Sequence, residues 1–400
     1  RIKGYETQTH RPSSGAYRAP GAQQGTFAIE SAVDELARKL DLDPIEFRLM
    51  NCVEEGDLRA NEGAWPKIGL RQTIEALQAH PLWRQRDQAR ADGKGIGIAI
   101  GGWPGGIEPA TATCRLDADG KLTVILGSVD LNGTNTTFAQ IAAEELGAGI
   151  DSVRVTTAST DTAPLVGGTG GSKITYTVGP AVAKAAQDAV EQIKQIAAKK
   201  LEVSVDDLEL SDGSVRVKGV PGTAITLEEI AELSMAMTGG NEPVLGRGGS
   251  GITQSAPGFA AHLAEVTVDE MTGVVQVTNY VAAQDVGFAI NPASVEGQIH
   301  GGVAQGIGWA LYEGIAYDDD GQPDAANLMD YVLPRSTMIP NIDVILVEVA
   351  SDDGPYGAKG VGEPPAIPGA AAVANAIRDL TGARMTSLPI RPPDVLAQLS

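Results

Sequence analysis

Apolar and polar positions alternate along this chain with two different periods. Over residues 26–40, TFAIESAVDELARKL places apolar side chains at helical spacing, which predicts an amphipathic helix. Asp43-Pro44 opens a second, short helix, DPIEFRLMN, with Glu46 three residues after the capping aspartate. A connector containing Gly, Asn and Pro covers 54–70, and a third helix is predicted for Leu70–Ala79. Beyond Gly93 the period shortens. KGIGIAIGGWPGG reads as a strand running into a glycine loop, and ATATCRL and LTVILGS, separated by DADGK, read as a β-hairpin.

From there strands lead repeatedly into a glycine-containing loop that opens a helix. DLNGTNTT precedes FAQIAAEEL, and SVRVTTAST leads through PLVGGTGGSK into PAVAKAAQDAVEQIKQIAAKKL. AAHLAEVTVD and VVQVTNYVAAQDV lead through GFAINP into VEGQIHGGVAQGIGWALYE. IDVILVEVA leads through SDDGPYGAKGVGEPP into IPGAAAVANAIRDL. A helix N-terminus carries free N–H groups and a partial positive charge, so each loop is a ready anion cradle. Singly, each is equally a tight turn; together they suit an extended ligand with phosphates and many hydrogen-bonding groups. The expected fold class is α+β, with mixed sheets and helices in several subdomains and Gly-rich loops binding a cofactor at their boundaries.

Composition sharpens this picture. The 400 residues suggest two to four packed units. With 49 glycines and only 4% aromatic residues, the cores must be built from Ala, Val, Leu and Ile. A net charge of −21 leaves no basic surface for phosphate neutralisation, so no nucleic-acid partner is expected. No apolar run is long enough for a membrane span and no signal peptide stands at the start, so a cytoplasmic location is expected, with periplasmic export through a partner or a removed segment left open. The first residue is Arg1, which suggests an upstream piece removed or left out. Cys52 and Cys114 read as ordinary buried thiols and cannot make a four-cysteine site; histidines 10, 80, 262 and 300 have no metal-ligand spacing. Any metal must be held by something other than side chains.

Several stretches, in order, resemble the molybdopterin-binding subunit of the xanthine dehydrogenase/aldehyde oxidase family. They are GAYRAPGAQQGTFAIES (15–31), GSVDLNGTNTTFAQIAAEELG (127–147), GGTGGSKITYTVGPAV (167–182), DVGFAINPASVEGQIHGG (285–302) and AKGVGEPPAIPGAAAVANAI (358–377). The resemblance covers nearly the whole chain but only the second half of a molybdenum subunit. It implies that residues 1–65 end a first cofactor-binding domain and 66–400 form a second, with subdomains at about 93–255 and 256–400. It also implies a molybdopterin cofactor, in the cytosine dinucleotide form, whose dithiolene rather than the protein holds molybdenum. The implied partners are the N-terminal half (attached or separate), an iron–sulfur subunit with 2Fe-2S clusters, and a flavin subunit with FAD. The implied reaction is hydroxylation of an N-heteroaromatic or aldehyde C–H with oxygen from water.

Residue roles follow from the same resemblance. Glu363, in a Gly-Glu-Pro turn, is the expected catalytic base, though the residue alone could equally be a helix N-terminal anion. Arg18 is expected to orient substrate and stabilise developing charge, or else to make a surface ion pair. Gly133, Thr134, Asn135 and Thr136 are expected on pterin or phosphate oxygens, a role compatible with N-capping. Gly170, Gly171 and Ser172 are expected on phosphate with Lys173 adding charge, and Gln298 and Gly362 at the pterin, although Gln298 also reads as a core or helix-surface residue. His300 reads as a core histidine. The loop after Arg18 is Ala19-Pro20-Gly21, without the cysteine of the copper-containing carbon monoxide dehydrogenases. Pro20 and Ile100 replace the phenylalanine clamp of purine-oxidising members, with Trp103 a candidate substitute wall. A reading of a different class is a catalytically silent scaffold subunit. A nucleotide-dependent transferase is disfavoured because no GK[ST] phosphate loop is present.

Overall fold

The computed structural model describes residues 3–9, 11, 13–60, 63–220, 222–237 and 239–399. The chain opens with helices α1 (Ala22–Lys39), α2 (Pro44–Asn51), α3 (Leu70–Ala79), α4 (Pro81–Arg84) and α5 (Arg86–Ala91). Asp43 caps α2 by accepting from the N–H groups of Ile45 (2.8 Å) and Glu46 (3.2 Å), and α3 has the predicted bounds. α1 starts earlier than its periodicity suggested, directly after a turn in which Ala19 and Gly21 take positive φ.

Three sheets follow. The first has the order β1 (Gly95–Trp103), β9 (Gly258–Val268), β10 (Val275–Asp285), β11 (Asn341–Val347); its pairs are antiparallel except β10 with β11. Helices α9 (Pro292–Leu311) and α10 (Gly369–Thr381) share a core with it, and α3 packs against β9 and β10. The second sheet has the order β4 (Val153–Thr157), β3 (Leu122–Leu126), β2 (Ala110–Leu116), β8 (Leu245–Ser250) and is covered by α6 (Thr134–Leu146) and α7 (Ile174–Leu201). The third, β5 (Leu208–Ser211), β6 (Ser214–Val217) and β7 (Ala224–Thr226), is small and antiparallel, and α8 (Leu227–Met235) follows it; α11 (Pro392–Leu399) ends the chain.

The glycine content is explained by how helices meet strands. A Cβ on Gly97 of β1 would lie 2.1 Å from Ala376 N and 2.3 Å from Ala372 O of α10. One on Gly248 of β8 would lie 2.0 Å from Ala181 O of α7. Each of the first two sheets thus brings a Gly-x-Gly strand (Gly95 and Gly97, Gly246 and Gly248) against an alanine-rich helix, backbone to backbone. Close packing is reached without large side chains.

Two expectations are corrected. The strand expected to open the 93–255 unit instead joins the first sheet, pairing with β9 from Gly95↔Val266 to Trp103↔Gly258. α7 begins at Ile174, with Pro180 inside it, because Ile174 and residues 176–179 are buried and packing outweighs the missing N–H. The strands of the 205–235 region are too short to show a period in the sequence; the Thr226–Glu229 capping box at the start of α8 is the signal the sequence carries there.

Candidate active site

The loops before α6, α7 and α9 and the one before α10 converge where the first two sheet units meet, and enclose a cavity of about 310 Å³. Arg18, Thr134, Gly170, Gly171, Ser172, Lys173, Gln298, Gly362 and Glu363 all line it. Residues separated by up to 345 positions, Arg18 to Glu363, are therefore brought to one cavity.

Glu363 is buried, with 8% of its surface exposed. It precedes the 3₁₀ turn Pro364–Ala366 but makes no side-chain cap there. Its Oε2 accepts from the Ser172 hydroxyl at 2.7 Å, and its backbone N–H donates to the same Ser172 Oγ at 2.8 Å. Gly360 and Gly362 are needed for close approach: a Cβ on Gly360 would lie 1.7 Å from Ser172 O, and one on Gly362 3.2 Å from Ser172 Oγ.

Arg18 holds this loop from the other side. Its Nε donates to Gly362 O, its Nη1 to Gln305 Oε1 (3.1 Å) and its Nη2 to Gln298 O (2.9 Å). Burial pulls the guanidinium below its usual range, opposed by the charge of Glu363. Each nitrogen already has a protein acceptor, so Arg18 fastens the Glu363 loop to α9 rather than making the surface ion pair offered as its alternative. Lys359, which sequence reasoning missed, is wholly buried; its Nζ donates to Asp285 Oδ2 (2.7 Å) and Lys67 O (2.8 Å). Burial pushes the Asp285 carboxyl up, against the pull of Lys359 and the N–H groups of Gly69 and Gly287. This pair anchors the start of the Glu363 loop to the end of β10.

Other expected residues fall differently. Lys173 is in an ion pair with Glu108 and so is not a free charge. Gly133, Asn135 and Thr136 lie outside the cavity lining, and Thr136 is exposed. Asn132, Thr137, Thr169, Asn291 and Ser294 line it instead; Asn291-Pro292, a capping pair, was the available signal for the last two. Trp103 does not line the cavity: its indole N–H donates to Gly171 O (3.1 Å). Pro20 and Ile100 also lie outside the lining. His300 is exposed, and the core histidine is His262, whose Nδ1 is 2.9 Å from the Tyr280 hydroxyl and whose pKa burial lowers to about 3. Cys114 is buried but Cys52 only partly so.

Comparison with known proteins gives the family. A family model described as molybdopterin cofactor-binding domain matches residues 73–340, and another of the same description matches residues 1–52. The chain belongs to this molybdopterin-binding family, among the xanthine dehydrogenase-like molybdenum-binding subunits. It is 33% identical over 401 residues to the putative xanthine dehydrogenase molybdenum-binding subunit of Escherichia coli (strain K12), covering 96% of this chain and 53% of that protein. It is 33% identical over 418 residues to the nicotine 6-hydroxylase large subunit of Paenarthrobacter nicotinovorans, covering 97% of this chain and 51% of the relative. Quinoline 2-oxidoreductase from Pseudomonas putida 86 superposes with a TM-score of 0.86 at 30% identity, over 96% of this chain and 53% of that one. The chain therefore spans about half the length of the curated relatives it matches.

Proposed function

We propose that this chain forms the base-bearing half of a molybdenum hydroxylase site, in which Glu363 takes the proton and the glycine loops hold the pterin cofactor. The observation that carries the reading is the buried Glu363 carboxylate, fixed at the wall of a cavity on which four loops converge. The cavity's donor set suits such a cofactor. Asn132 Oδ1 and Thr169 Oγ1 are buried at its wall without a hydrogen-bond partner, and so are Ser128 Oγ, Asn135 Oδ1 and Gln140 Oε1 on the segment that leads into α6 and along it. Buried polar atoms without partners are costly, so this concentration points to an external ligand rich in hydrogen-bonding groups. Among the described residues no group of three or more His, Cys, Asp or Glu is placed to hold a metal.

Molybdopterin, in the cytosine dinucleotide form, would be held by Thr134, Gly170, Gly171, Gln298 and Gly362, with Asn132 and Thr169 added by the structure. When bound, it supplies a two-electron redox centre. Glu363 Oε1, which makes no hydrogen bond among the described residues, is the atom that accepts the proton of the water-derived hydroxyl, while the hydrogen of the substrate C–H and its electron pair would pass to the redox centre of the bound cofactor. Arg18 and Lys359 hold the loop in place. An N-heteroaromatic or aldehyde substrate suits this chemistry, with electrons leaving to 2Fe-2S and FAD on partner chains in a cytoplasmic complex. The companion half of the subunit is supported by α1, whose outward face carries Ile29, Leu36 and Leu40.

Glu363→Gln is expected to abolish turnover nearly completely with cofactor retained; activity within about tenfold of wild type removes Glu363 from this role. Elemental mass spectrometry on the native complex is expected to find close to one molybdenum per chain. Its absence from an intact complex would establish the chain as a silent scaffold.

A further inference from the structure

Ser172 has an unusual backbone for its residue type. Its φ is +58°, in the left-handed region that glycine adopts freely and a side chain resists. The residue before it, Gly171, also takes a positive φ (+72°). What sets Ser172 apart is the use made of its hydroxyl.

That use is visible in its contacts. A hydroxyl has one hydrogen to donate, and Ser172 gives it to Glu363 Oε2 at 2.7 Å while accepting the Glu363 N–H at 2.8 Å. The donor expected from the sequence to serve a phosphate is thus already engaged. The surroundings are shaped for this contact. Only a hydrogen at Gly360 leaves room for the Ser172 carbonyl, and Gly362 faces the Ser172 hydroxyl. Gly171 O, one residue earlier, is fixed by the N–H of Gly106 (2.7 Å) and the indole of Trp103 (3.1 Å). The serine is therefore held on a braced loop and keyed into the slot left by Gly360-Val361-Gly362.

We infer that Ser172 is a positioning residue for Glu363, holding Oε2 so that Oε1 is the oxygen offered to the cavity. This rests on the reading of Glu363 as the base. A carboxylate with both oxygens free to rotate presents its reactive lone pair only part of the time; one pinned through both its Oε2 and its backbone N–H presents it continuously.

The test compares Ser172→Ala, Ser172→Gly and Glu363→Gln in the complete, cofactor-loaded complex. Ser172→Ala keeps the backbone strain and removes the hydroxyl; Ser172→Gly removes both. Both are expected to lower kcat by about tenfold or more, as for the loss of a hydrogen bond to a charged group, with KM and molybdenum per chain unchanged. Thermal stability of Ser172→Gly should equal or exceed wild type, separating the hydroxyl's role from a merely structural one. Without turnover, the Glu363 carboxylate stretch, isolated by isotope-edited infrared difference against Glu363→Gln, should shift in both serine variants. Wild-type kcat in both serine variants, with Glu363→Gln inactive, would overturn the positioning role alone. Molybdenum loss in both would overturn it in favour of cofactor binding. An active Glu363→Gln would instead remove the base reading on which the inference stands.

Discussion

Lys359 and Asp285 are fully buried and 2.7 Å apart. Removing one partner of such a pair strands the other charge, which costs about 3–5 kcal/mol. Lys359→Met is therefore expected to lower unfolding stability by about that amount, read by denaturant titration; a loss under about 1 kcal/mol would show that Asp285 takes up a proton and is satisfied by Gly69 and Gly287 alone. The lysine was invisible in the sequence because its partner lies 74 residues away, and no spacing rule links them. Glu363 was singled out through the family resemblance of its Gly-x-Gly-Glu-Pro-Pro turn, and the structure places it in the cavity lining. Arg18 was found, but its role was not, since its acceptors are backbone carbonyls and an amide on distant segments. His300 and His262 were indistinguishable by local pattern. Both sit in apolar stretches, and only pairing of β9 between β1 and β10 buries one of them.

At the scale of the element, α1 shows how periodicity reports a face without saying which way it points. Its stripes predicted an amphipathic helix with apolar residues inward. The structure turns part of that pattern outward: Gln23, Glu30 and Asp34 are buried while Ile29, Leu36 and Leu40 are exposed. The inward polar face is satisfied by ions. Glu30 pairs with Arg48 at 2.8 Å, and Asp34 pairs with Arg384 at 2.7 Å and Arg38 at 3.0 Å. A helix that spends its polar face on its own chain and leaves large aliphatic residues outside is made to be covered. The proposed cover is the portion of the subunit that the relatives span and this chain does not. Leu36→Lys combined with Ile29→Lys should then change the chain's own unfolding by no more than about 0.5 kcal/mol per site. The same pair of changes should sharply lower the yield of the companion polypeptide in native-host purification. Unchanged recovery of the complex would show that this face is merely tolerated exposure.

For the molecule as a whole, the sequence made glycine conspicuous but misdirected its reading. Glycines were taken chiefly as cradles for anions, and those at 170, 171 and 362 do line the cavity. Yet Gly95, Gly97, Gly246 and Gly248 lie within strands, where they let α10 and α7 rest on the sheets. The two uses are connected, because both helices begin at loops that form the cavity wall, and a helix lifted from its strand carries its loop with it. Gly97→Ala and Gly248→Ala should each destabilise their own unit by about 1–3 kcal/mol or more, the usual cost of overpacking. Gly25→Ala, in α1 with no atom near its added methyl, should instead be neutral or stabilising by about 0.5–1 kcal/mol. Because a chain with separate cores need not unfold in one step, hydrogen exchange read unit by unit is the suitable measurement. Gly97→Ala should speed exchange in β1, β9 and α10, and Gly248→Ala in β2, β8 and α7, each spreading to the loop its helix carries. Equal acceleration everywhere in both variants would mean that the two sheet units are one cooperative body, and that the cavity between them is rigid for that reason rather than through its own hydrogen bonds.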